Sequence, residues 1–239
     1  MPRFFVDEIS EKHASITGDD ARHIMRSLRM KTGDALTVSC KGIDYSCVID
    51  SFSDETVNLE VLFFNKCKSE PTVDITLYQA VPKLDKLEMI IQKSVELGVS
   101  RIVPVLTRRC ISRPSEKDFS KKLGRYQNIS LSAAKQSGRG IIPEIMPIIN
   151  YTQAIECMKK SDCSLMFYEQ GGIRFSEVDF DGVRTISLLV GSEGGFDEAE
   201  VGQADAAGVK RIWLGDRILR CETAPLAALT LTMFLTQNL

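Results

Sequence analysis

Along the first part of the chain, apolar and polar positions change over in short runs. Residues 35–40, 44–52 and 56–65 are rich in β-branched and aromatic side chains, the alternation is clearest in the middle run, and Lys41-Gly42 and Ser53-Asp54 supply turns. That pattern predicts a small β-barrel or sandwich. One helical interruption over residues 19–28 opens on an aspartate suited to capping and turns Ile24, Met25 and Leu28 inward. The polar stretch 66–71 ends in proline and marks a boundary, so the chain divides into residues 1–70 and residues 72–239.

From residue 73 the texture changes. Apolar strands are expected at 73–81, 102–106, 164–168, 185–190 and 211–214. Between them Leu84, Leu87, Ile91 and Val95 recur at helical spacing before Gly98, and further helices are expected at 119–137, 151–160, 197–207 and 224–237. Strands alternating with helices of this length form a mostly parallel sheet covered by helices, an α/β domain. No internal repeat is present.

Composition narrows the class without naming a function. The chain has 239 residues, 44% of them apolar and 26% charged, with only 16 Gly and 8 Pro, which excludes a disordered or collagen-like protein. No run reaches the roughly 18 apolar residues of a membrane span and the first residues carry no apolar signal segment, so a cytoplasmic location is expected. The seven cysteines form no C-x-x-C pair and have no histidines near them, which disfavours zinc or a disulfide framework and leaves small buried thiols. No metal is expected.

The net charge of −2 is unevenly spread. Residues 101–140 carry ten Lys or Arg against two acids, and Arg22, Arg26, Arg29 and Lys31 form a second run without an acid. Either run is a solvated helix face or a contact for polyanionic phosphate.

Two loops follow apolar strands and lead into helices. The first, Val190-Gly191-Ser192-Glu193-Gly194-Gly195-Phe196, precedes Asp197 and Glu200, a capping pair, and its glycines expose backbone N–H groups. It lacks both the G-x-G-x-x-G spacing of a dinucleotide loop and the lysine of a phosphate loop, and by itself it also reads as a tight turn. The second is Leu214-Gly215-Asp216-Arg217-Ile218-Leu219-Arg220-Cys221-Glu222-Thr223-Ala224-Pro225. At the carboxyl ends of neighbouring parallel strands the two loops would share one crevice.

The pairing of these loops resembles the signature of the bacterial 16S rRNA uracil-N3-methyltransferase family, within the SPOUT superfamily of S-adenosylmethionine-dependent RNA methyltransferases. The similarity extends over nearly the whole chain: Asp20, His23 and Ile24 with Leu28-Arg29-Met30 and Gly33-Asp34; Lys86 and Glu88 through Gln92-Lys93 with Glu96-Leu97-Gly98-Val99; and Ala134, Gln136, Ser137, Arg139 and Pro143. Lys135 stands where the family carries an acidic residue, and Ser192 where proline is frequent.

The resemblance implies a PUA-like β-barrel over residues 1–70 and a SPOUT-type α/β domain with a deep trefoil knot over residues 72–239. The cofactor it implies, S-adenosylmethionine, would be bound by Phe167, Tyr168, Glu169, Leu189, Val190, Gly191, Gly194, Gly195, Leu214, Gly215, Ile218, Leu219, Arg220, Thr223 and Ala224. The expected partner is 16S rRNA within the small ribosomal subunit, touched by Arg22, His23, Arg26, Arg29, Arg109 and Arg139. A homodimer is also implied, in keeping with the uncharged stretch 223–239.

Methylation of uridine N3 requires loss of an imide proton. The two histidines, His13 and His23, both lie in the first domain, so carboxylates or water must accept the proton; Glu193 or Glu222 would do so if burial raised its pKa, and loop-holding is the plainer alternative for each. Arg220 and Arg217 would hold a phosphate, stabilise the uracil oxyanion or form an ordinary salt bridge. Cys221 needs no covalent role, because deprotonated N3 is itself the nucleophile. A non-catalytic RNA-binding or ribosome-assembly protein would carry the same basic patches without a cofactor crevice, and a SPOUT methyltransferase for a different RNA would share every one of these motifs.

Overall fold

The computed structural model describes residues 1–239, which fall into two compact units: Met1–Glu70 with Ala134–Ile141, and Pro71–Ala133 with Ile142–Leu239. The first unit is built on β1 (Arg3–Phe5), β2 (His13–Ile16), β3 (Ala35–Cys40), β4 (Ile43–Ser53) and β5 (Thr56–Lys66). They form one sheet in the order β1-β3-β4-β5-β2, with β1 parallel to β3 and the remaining pairs antiparallel. Lys41 and Gly42 both have positive φ (49° and 80°), the two-residue turn whose twist matches a β-hairpin. Phe4, Ile16, Ile24, Leu36, Val38, Ile49, Val57 and Leu59 form the core of this unit.

The helical interruption differs from its expected form. A short helix, α1 (Gly18–Arg22), passes into a π-helical turn over His23–Ser27, closed by Leu28 N–H donating to His23 C=O. The wider turn rotates the later residues, so Ile24 is buried and Met25 partly buried, while Leu28, expected to face inward, is 40% exposed.

The second unit contains eight parallel strands: β6 (Asp74–Ala80), β7 (Arg101–Leu106), β8 (Glu144–Ile145), β9 (Ile149–Asn150), β10 (Cys163–Phe167), β11 (Ile173–Arg174), β12 (Thr185–Val190) and β13 (Lys210–Trp213). Their order is β11-β13-β10-β12-β6-β7-β8, with β9 also on β7. The central strands β6 and β12 are mostly apolar and buried almost throughout, without alternation, because both sheet faces are covered. The helices are α2 (Lys86–Glu96), α3 (Glu116–Ser137), α4 (Tyr151–Met158), α5 (Glu198–Ala206) and α6 (Ala224–Leu235). None is long and apolar enough to cross a membrane. The capping pair forms as expected: Asp197 accepts the Ala199 N–H while Glu200 reaches back to the Asp197 N–H. All seven cysteines are free thiols; six are buried, and Cys157 is exposed.

Candidate functional site

Loops that leave neighbouring parallel strands at their carboxyl ends converge. β13, β10 and β12 are consecutive in the sheet, and the segments after Trp213, Phe167 and Val190 enclose a cavity of about 380 Å³. Of the residues expected to hold a cofactor, Phe167, Tyr168, Glu169, Val190, Gly191, Gly194, Gly195, Leu214, Gly215, Ile218, Leu219, Arg220 and Ala224 line it. Leu189 and Thr223 do not. Alternation along β12 sends Leu189 into the core with Met166 and Phe196, and Thr223 is the exposed residue before α6.

The first loop turns tightly through a Gly195 N–H bond to the Ser192 C=O. Gly195 has φ +62°, and a Cβ there would stand 2.7 Å from Glu169 Oε1. Gly194 is restricted differently, since its Cβ would meet the Arg109 backbone oxygen at 3.0 Å. In the second loop the backbone of residues 215–219 makes no hydrogen bond within the chain, and neither Arg217 nor Arg220 has an ion-pair partner.

Lys86 and Trp213 also line the cavity, and neither was anticipated there. Lys86 Nζ lies 3.1 Å from Glu193 Oε1 and 3.0 Å from Glu222 Oε2. Glu193 also accepts the Lys83 N–H at 3.1 Å, and Glu222 accepts the Cys221 thiol at 3.1 Å. Burial alone would raise the Glu193 pKa, but backbone N–H groups and Lys86 outweigh it and hold the carboxyl below its ordinary value. Glu222 is lowered by the Cys221 hydrogen bond and by Lys86. The condition under which either acid was expected to serve as a base, a pKa raised by burial, is therefore not met. The Cys221 thiol is pushed up to about 12, first by burial and then by Glu222 and Glu193, so it stays protonated.

The residues expected to touch RNA fall in both units. Arg26 and Arg29 are exposed without an ion-pair partner; Arg22 is paired with Asp19 and, at 3.1 Å, with Glu55; exposed His23 tilts against Phe4, ring centres 6.4 Å apart. Arg109 belongs to the other unit, is exposed, and donates to Gly194 C=O at 3.3 Å. Arg139 is a correction. Its side chain is 3% exposed and makes a two-pronged pair with Glu70 at 2.9 and 2.8 Å, so no phosphate can reach it. Lys135, the departure from the family pattern, binds Asp20 at 2.7 Å and lies over the Phe4 ring. Ser192 is buried, with its hydroxyl 3.5 Å from Arg109 C=O.

A β-module that exposes Arg26 and Arg29, followed by a parallel α/β unit with a glycine-lined crevice at its strand ends, fits a two-part class: a nucleic-acid-associated protein that also binds a small organic ligand. Residues 68–233 match the model of the RNA methyltransferase domain, and residues 16–62 that of the RNA methyltransferase PUA domain. The chain is 34% identical to Ribosomal RNA small subunit methyltransferase E of Bacillus subtilis (strain 168), over 100% of this chain and 98% of that protein. Among solved structures it resembles that of Ribosomal RNA small subunit methyltransferase E from Neisseria gonorrhoeae bound to S-adenosyl methionine (34% identity, TM-score 0.88, 98% of each chain). A Legionella pneumophila methyltransferase in complex with the same cofactor matches at 26% identity and TM-score 0.85, over 97% of this chain and 96% of that one. The chain belongs to the ribosomal RNA small subunit methyltransferase E family of RNA methyltransferases.

Proposed function

We propose that the protein transfers a methyl group from S-adenosylmethionine to N3 of one uridine in the 16S rRNA of the small ribosomal subunit. The observation that carries this reading is the cavity formed where the loops after β12 and β13 meet, in a chain of this family. Its residues fit the cofactor. The unpaired backbone of residues 215–219 offers donors and acceptors to a purine and ribose, Phe167, Leu214, Ile218 and Leu219 supply apolar surface, and Glu169, with no ion-pair partner, suits an amino group.

Bound there, the cofactor supplies an electrophilic methyl group on a sulfonium. The remaining work is positioning and charge stabilisation. Arg220, an unpaired cation on the cavity wall, stabilises negative charge spreading over the uracil carbonyl as the imide proton passes to water and N3 takes the methyl group. Glu193 and Glu222 are held ionised by Lys86 and fix loop geometry; a carboxylate of lowered pKa is a weak base. Arg22, Arg26 and Arg29 bind phosphates from a PUA-like barrel, residues 1–70, and residues 72–239 form the SPOUT-type catalytic domain with its deep trefoil knot. A homodimer covers the apolar positions Leu231, Phe234 and Leu235, which lie exposed on α6.

The test is methyl transfer from labelled S-adenosylmethionine by the purified protein to 16S rRNA, offered free and in small subunits. Label recovered in 3-methyluridine is expected, and label in another nucleoside would overturn the N3 assignment. Binding of the RNA without transfer from either substrate would favour an assembly role.

A further inference from the structure

Lys86 is misplaced by local rules. It is the first residue of α2, where exposed N–H groups create partial positive charge and an acid would be favoured. Its position is explained by two carboxylates from different loops, Glu193 after β12 and Glu222 after β13, at 3.1 and 3.0 Å. No other residue of α2 makes an ion pair into the cavity. One ammonium thus spans both loops that form it.

We propose that Lys86 is a positioning residue for the cofactor cavity, tying the loop after β12 to the loop after β13 through Glu193 and Glu222 and so holding the cavity in its binding shape. This rests on the reading of the cavity as an S-adenosylmethionine site. Glu193 gains further support from the Lys83 N–H, and Glu222 from the Cys221 thiol, whose sulfur lies 3.7 Å from Lys86 Nζ. Without the ammonium, two carboxylates would face each other with no cation between them, and one would take up a proton as the pH falls. That proton would then stand in for the lysine.

Few other groups compete for this signature. Asp85 and Glu88 lie on or beside α2, with Glu88 paired to Arg125 at 2.8 Å; Glu169, Arg217 and Arg220 share the cavity; Lys83 faces solvent. Cys221 stays protonated across the range, and both histidines, His13 and His23, belong to the other unit.

The test is calorimetric titration of the full chain with S-adenosylmethionine and with its demethylated product between pH 5.5 and 8.5, on wild type, Lys86→Arg, Lys86→Met and Lys86→Met/Glu222→Gln. Lys86→Arg should follow the wild-type pH profile, which carries only the weakening near pH 8 set by the cofactor's own α-amino group. Lys86→Met should bind about tenfold or more weakly at pH 8, the equivalent of one pKa unit, and regain affinity as the pH falls. The double variant, lacking the repulsion, should lose that pH dependence. Lys86→Met binding like wild type at every pH, or Lys86→Arg failing as badly as Lys86→Met, would overturn the proposal. If wild type binds neither compound, the cofactor reading fails and takes this one with it.

Discussion

Arg139→Met separates a buried tie from an RNA contact at a position whose charge suggested the latter. The guanidinium and the Glu70 carboxylate are 3% and 9% exposed and joined by bonds of 2.9 and 2.8 Å. Removing one partner of a buried pair strands the other charge, a loss of about 3–5 kcal/mol. Glu70 keeps the N–H groups of Gly140 (2.7 Å) and Ile141 (3.1 Å), which places the loss near the lower end of that range. At about 1.4 kcal/mol per factor of ten, protection of β3, β4 and β5 against hydrogen exchange should fall by about a hundredfold. Exchange read by mass spectrometry resolves these strands from the second unit. Arg139→Met/Glu70→Met should recover much of the loss, because apolar residues of similar volume often replace a buried pair without cost. Unchanged protection together with a salt dependence of RNA binding reduced by about one phosphate contact would refute the assignment and restore Arg139 to the RNA surface.

Three further outcomes are expected. Gly195→Val places a β-branched residue at φ +62° with its Cβ against Glu169, so calorimetry should detect no cofactor binding, and affinity within twofold of wild type would contradict the loop geometry. Arg220→Ala should leave cofactor affinity within a few-fold while single-turnover methyl transfer falls by about 10², and equal losses in both would make the arginine part of the cofactor pocket. Replacing Arg22, Arg26 and Arg29 together by alanine should weaken RNA binding and flatten its salt dependence; an unchanged slope would remove α1 and its π-turn from the contact surface.

Much of the architecture was legible because burial leaves a period in the sequence. β3, β4 and β5 announce themselves by β-branched and aromatic runs, and β6, β10 and β12 by short, mostly apolar runs between helices. The cavity loops were readable from glycines between a strand and a capped helix. The edge strands β8, β9 and β11 are two residues each, too short for any periodicity to mark them. The π-turn over His23–Ser27, which buries Ile24, has no marker in the apolar spacing of this segment.

Charge was the least readable property. Arg139 and Glu70 are 69 positions apart, so the basic run around Arg139 looks like a surface until the fold supplies its partner. Glu193 and Glu222 were legible as carboxylates beside a ligand, but their ionisation depends on Lys86, at least 107 residues away and assigned no site role by its own surroundings. The one local signal was a lysine opening a helix, where an acid is favoured.

The central claim is methylation of small-subunit rRNA at uridine N3, and nucleoside mass spectrometry of 16S rRNA from cells lacking the gene tests it most directly. The 3-methyluridine of the parent strain should disappear, return with the wild-type gene, and stay absent when Gly195→Val is supplied. Retention of 3-methyluridine in the deleted strain at the parental level would contradict the account.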